Sequence, residues 1–111
     1  MTLPDNTLEE LLIEATYDQV EIWLILSKIE DGLGGDSEEA AKKTTLQTVG
    51  SMLRSGRVDL ARHTDKGLVR LVASNGINEL IQMLDSEWNG LGRRPDIGDL
   101  PVLVAKKYPT K

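Results

Sequence analysis

Histidine, cysteine and closely spaced carboxylates are the raw material of most catalytic and metal sites, and this chain offers little of it. Cysteine is absent, so a thiolate nucleophile, a thiolate metal site and any disulfide are excluded. A domain that needs no disulfide fits a reducing compartment, and the cytoplasm is the expected location. His63 is the only histidine. It falls in or beside an expected hairpin turn, with no second histidine at metal-ligand spacing and no nucleophile in a named motif. The expectation is an exposed turn histidine. The glycine-rich string GLGGDS at residues 32–37 lacks the Lys-Ser/Thr pair of a phosphate-binding loop and is flanked by acids, so it reads as a turn between helices. The carboxylates lack the D-x-D-x-D-G rhythm of a calcium loop. With two Trp, two Tyr and no Phe, the chain has few rings to grip a sugar, which disfavours a glycoside-cleaving pair. No catalytic residue, metal or cofactor is expected, and the function class that remains is partner binding without catalysis.

Charge distribution says what kind of partner. Residues 1–40 hold eleven acids against a single base, Lys28, a net of −10, whereas residues 41–111 hold twelve bases and seven acids, a net of +5. The first forty residues repel nucleic acid and attract a cationic surface. If one helix runs unbroken from residue 6 to beyond residue 21, then Glu10, Glu14, Asp18 and Glu21 share one face. A break near Thr16 and Tyr17 would spoil the alignment while keeping the charges close. The candidate partner-binding residues are therefore Glu10, Glu14, Asp18 and Glu21, with Tyr17 as an aromatic anchor and Glu30, Asp31 and Asp36 further along. Trp23 is expected in the core because of the apolar residues around it.

The elements that must carry these residues follow from hydrophobic period. Asn6 or Thr7 can cap a first helix with Leu8, Leu11, Leu12 and Ala15 on its apolar stripe. Residues 18–29 contain Val20, Ile22, Trp23, Leu24, Ile25 and Leu26 and read as a central helix, with a strand as the alternative for residues 20–26. Asp36 and Glu39 have capping-box spacing for a third helix that ends near Arg54 and is stopped by Gly56, with Leu46, Val49, Met52 and Leu53 buried. From Arg57 the period becomes two, and Val58, Leu60, Leu68, Val69, Leu71 and Val72 flank turn chemistry at residues 63–67, which predicts a hairpin. Ser74 and Asn75 are the expected caps of a fourth helix with Ile77, Leu80, Ile81, Leu84 and Trp88 on one stripe, ended by Gly90 and Gly92. Residues 101–105 read as a last strand, with Pro101 at its first position or an edge. The fold class expected is α+β and helix-rich, a single domain over residues 1–111 with a mobile tail at 106–111. The longest apolar stretch, residues 22–26, is five residues, far below the roughly 20 that a membrane span needs. The start of the chain is polar and acidic, the reverse of a secretion signal, so neither export nor insertion is expected.

Three helices followed by a hairpin is also the order of a winged helix, which supplies an alternative function. In that reading the third helix is a DNA-recognition helix presenting Lys42, Lys43, Thr44, Thr45, Gln47, Thr48 and Ser51, and Arg57, Arg62, Lys66 and Arg70 meet phosphates from the wing. The acidic first forty residues argue against it, because small DNA-binding domains are usually basic.

In size, acidity, lack of cysteine and lack of catalytic motif, the chain resembles the small acidic immunity proteins of bacterial contact-dependent inhibition and other polymorphic toxin systems. The string SEWNGLGRRPDIGD at residues 86–99 also looks like the ending of small bacterial proteins in which a helix closing on Trp-x-x-Leu-Gly-Arg-x-Pro leads into a strand. The resemblance implies a cognate toxin as partner, commonly a basic nuclease, neutralised by occlusion. Immunity families diverge too widely for any functional residue to be carried over by position.

Overall fold

Stripes of period 3.6 and alternation of period two account for the helices and the longer strands among the described residues. The computed structural model describes residues 5–17, 19–33, 38–71, 76–93, 95–96 and 99–106. In chain order the elements are α1 (Asp5–Tyr17), β1 (Val20–Glu21), α2 (Ile22–Leu33), α3 (Glu38–Arg54), β2 (Val58–Thr64), β3 (Gly67–Arg70), α4 (Ile77–Leu91) and β4 (Val102–Ala105). The four strands form one antiparallel sheet in the order β1-β4-β2-β3. The fold is α+β and helix-rich, as its patterning predicts.

The main core joins all four helices to one face of the sheet. Leu11, Leu12 and Ala15 of α1, Ile22, Ile25, Leu26 and Ile29 of α2, Ala41, Val49, Met52 and Leu53 of α3, and Leu84 and Trp88 of α4 pack with Val20, Val58, Leu60 and Leu103. Leu60 pairs with Leu103, and Val20 pairs with Leu103 from the other side, so these side chains share a face. Alternation sends Ala61, Leu68, Val102 and Val104 to the opposite face, where they form a second buried cluster.

The run at residues 20–26 is divided between two conformations. Val20 and Glu21 pair with β4, and the helix starts only at Ile22. Trp23 is half-buried rather than core, because its indole Nε1 donates to the Glu21 carboxylate at 3.0 Å on the rim. The hairpin forms with Asp65 and Lys66 in its turn, and Gly67 supplies the positive φ of 104° that closes it. Gly56, at φ 76°, stops α3. Pro101 lies just before β4, yet β4 is a central strand and not an edge.

Several expected boundaries shift. α1 begins at Asp5, so Asn6 and Thr7 lie inside it. The N-cap of α4 is Gly76, at φ 90° and with no side-chain cap, while Ser74 and Asn75 lie outside the described residues. α4 runs past Gly90 to Leu91 and ends at Gly92 in the left-handed conformation. Lys106 is not part of a loose tail. Its backbone N–H donates to the Arg57 carbonyl at 3.1 Å and its Nζ reaches Asp59 at 3.1 Å; residues 107–111 lie outside the described residues. No described helix is long and apolar enough to cross a membrane.

Candidate interaction surfaces

α1 ends at Tyr17 and the chain enters β1 at Val20, so the single acidic stripe anticipated from residue 10 to residue 21 does not form. Glu10 and Glu14 are exposed on the outer side of α1. Ile13 lies between them in sequence and is 47% exposed, the largest exposure of any bulky apolar residue described. Glu21 belongs to the sheet instead, where its carboxylate accepts from Trp23. Asp18, Asp36 and the side chain of Tyr17 lie outside what the structure describes.

A second acidic group gathers where α2 ends and α3 begins. Glu30 and Asp31 are in the last turns of α2, and Glu38 and Glu39 open α3, a position favoured for acids by the helix dipole. Glu30, Glu38 and Glu39 line one side of an open cleft of about 490 Å³. Its other side is Trp88, Asn89, Gly92, Arg93 and Pro95, all from the string that closes α4. Sequence reading singled out that string without giving it a role. In three dimensions it forms a wall of the cleft.

Lys42 links the two walls. It is three residues after Glu39 and four after Glu38, within side-chain reach of both. It turns to α4 instead, with its Nζ 2.6 Å from Asp85 Oδ1, 2.6 Å from Asn89 Oδ1 and 5.7 Å from the centre of the Trp88 ring. An ammonium over an indole face is held by the ring's negative quadrupole. Beyond the cleft, Arg93 makes a two-pronged contact with Asp99 at 2.6 and 3.0 Å, and Asp99 also accepts from the Asp96 backbone N–H at 2.8 Å. The guanidinium and that N–H hold the Asp99 carboxyl below the usual carboxylate range, and the same contact raises Arg93.

Of the four cations proposed to meet phosphates, Arg57, Arg62 and Arg70 are engaged in the same way, while Lys66 is exposed without an ion pair among the described residues. Arg57 grips Glu9 through one nitrogen at 2.8 and 2.7 Å, Arg62 grips Glu87 at 3.1 and 2.6 Å, and Asp59 takes both Arg70 at 2.8 Å and Lys106 at 3.1 Å. The anticipated base-reading face of α3 is not a surface. Thr45 is 0% exposed, and Thr44 and Thr48 are buried with it. The Thr45 and Thr48 hydroxyls donate to the Ala41 and Thr44 carbonyls, both at 2.8 Å, which satisfies them inside the helix. Of the expected reading residues Lys43 and Gln47 remain exposed. Sequence period alone does not distinguish this case, because threonine reads as polar whether its hydroxyl faces water or its own backbone.

His63 is exposed, and its Nε2 meets the Gln19 side-chain amide oxygen. Among the described residues no three His, Asp or Glu side chains converge as a metal site. No protein-family model matches the chain, and no curated protein or solved structure is significantly similar to it.

Proposed function

We propose that this protein is a cytoplasmic immunity protein or inhibitor that binds a basic bacterial toxin, commonly a nuclease domain, and neutralises it by covering its active site without doing chemistry. The observation that carries this reading is where the ion pairs go. Four acids of residues 41–111, Asp59, Asp85, Glu87 and Asp99, take five bases of the same segment, Lys42, Arg62, Arg70, Arg93 and Lys106, while Lys43, Arg54 and Lys66 are exposed without an ion pair among the described residues. Arg57 crosses to an N-terminal acid, Glu9. Glu10, Glu14, Asp31, Glu38 and Glu39 are exposed and form no ion pair among the described residues. That surface attracts a cationic partner and speeds its encounter. The DNA-binding alternative is the weaker reading, since Thr45 is buried and Lys42, Arg57 and Arg62 already hold carboxylates.

The test is a titration against basic toxin domains encoded beside this protein, with duplex DNA at low salt as the competing partner. A tight, salt-sensitive complex with such a domain, weakened by Glu10→Lys with Glu14→Lys, supports the proposal. DNA binding that is lost on changing Lys42, Lys43 and Arg57 to alanine refutes it.

A further inference from the structure

Trp88 is 9% exposed and is one of the residues that line the cleft between the start of α3 and the end of α4. Its indole N–H has no hydrogen-bond acceptor among the described residues, yet the atom is not sealed off from solvent. A donor without a partner, on a largely buried residue that lines a cleft, is an opening for an acceptor from outside. Across from it stand the carboxylates of Glu30, Glu38 and Glu39. The nearest cation, Lys42, is committed to Asp85 and Asn89, and Arg93 to Asp99. With these two lining cations held by other groups, Glu38 and Glu39 are the cleft carboxylates that form no ion pair among the described residues.

We infer that this cleft receives a basic segment of the partner protein, with a main-chain carbonyl accepting from the Trp88 indole and an arginine or lysine side chain meeting Glu38 and Glu39. The two halves of that requirement select the ligand. A free polyamine supplies cations but no carbonyl, and an anion such as phosphate is repelled by the glutamates. An extended peptide carries both groups within one or two residues, about 3.3 Å apiece along the chain. The inference rests on the proposal that the partner is a basic protein, and it locates where one of that partner's cations seats.

The test uses the full chain labelled with ¹⁵N and a short blocked peptide carrying two arginines separated by glycine. The two indole resonances, from Trp23 and Trp88, are told apart by the one that vanishes in Trp88→Phe. The peptide should move the Trp88 indole proton downfield in a saturable way. Glu38→Gln with Glu39→Gln should weaken binding about tenfold, the effect of two exposed charge contacts of about 0.7 kcal/mol each. Both substituted positions are exposed at the start of a helix, so the fold survives the change. Spermine moving the Trp88 resonance as far as the peptide does would overturn the carbonyl contact. Peptide binding that leaves Trp88 unmoved and is weakened by Glu10→Gln with Glu14→Gln would overturn the cleft while leaving the acidic-surface proposal standing. Peptide binding insensitive to all four glutamates would overturn both.

Discussion

Residues 41–111 and residues 1–40 use the same kinds of charge for different ends. In the later segment three of the seven acids, Asp59, Asp85 and Glu87, staple elements together. Glu87 of α4 holds Arg62 of β2, Asp85 of α4 holds Lys42 of α3, and Asp59 of β2 holds Arg70 of β3 and Lys106 just past β4. In the earlier segment Glu9 makes such a staple, to Arg57 ahead of β2. Glu10, Glu14, Asp31, Glu38 and Glu39 face solvent without an ion pair among the described residues. Charges that hold a structure together come in matched pairs. An unmatched surplus of one sign repels itself and costs stability, and natural proteins retain such a cost mainly where function needs it.

The comparison is broken most severely by testing whether the acids contribute to stability after all. Leu103 sits in the central strand, 0% exposed, between Val20 and Leu60. Leu103→Ala should cost about 2–5 kcal/mol in urea unfolding, the range for a large-to-small change in a packed core. Replacing Glu10, Glu14, Glu38 and Glu39 by glutamine should move stability by less than about 0.5 kcal/mol per site, toward greater stability at low salt for Glu10 and Glu14, with loss of the favourable helix-dipole contact opposing that gain at Glu38 and Glu39. A loss of more than about 1 kcal/mol at any one of these glutamates would make it a structural residue and remove it from the binding surface.

The sequence exposes the core of this contrast well and its edges poorly. The apolar stripe of α4, the alternation of β2 and β3, and Gly56 as a stop were all readable, because each rests on a local period or on one residue's conformational freedom. β1 was not, since two residues make no period and Val20 becomes a strand only by pairing with Leu103, more than eighty positions away. The same distance hid the central place of β4. The acidic surplus was legible by counting, but its shape was not: β1 removes Glu21 from the helical stripe, and the cleft exists only because the end of α4 folds against the start of α3. Thr45 is the reverse case, a polar residue whose own helix satisfies it and lets it be buried.

A finer version of the comparison concerns how much each staple contributes. Arg62 and Glu87 form a two-pronged pair, and their side chains are 39% and 31% exposed. Solvent screens such a pair, so a double-mutant cycle with Arg62→Ala and Glu87→Ala should return a coupling of about 0.2–1 kcal/mol. A coupling near zero would mean that the pairs of residues 41–111 only cancel charge. A coupling above about 2 kcal/mol would mean that the pair is desolvated and that α4 depends on it for docking to the sheet.

The smallest expected effect is in pH. Asp99 lies below the usual carboxylate range because Arg93 and the Asp96 backbone N–H stabilise its charged form. A carboxyl whose folded pKa is depressed contributes stability that is complete above the unfolded value and drains away as pH falls through the folded one. Arg93, raised by the same contact, would lose its share only in strong alkali. Acidification from pH 6 to pH 3 should therefore lower the unfolding temperature of the native chain more than that of Asp99→Asn, which has no carboxylate to protonate. The difference should be small, since Arg93 is solvent-exposed and Asp96 also attracts it. Equal acid sensitivity in the two chains would show that the pair does not steady the loop holding Pro95, and the α4 side of the cleft would then rest on the Gly92 cap and Trp88 packing alone.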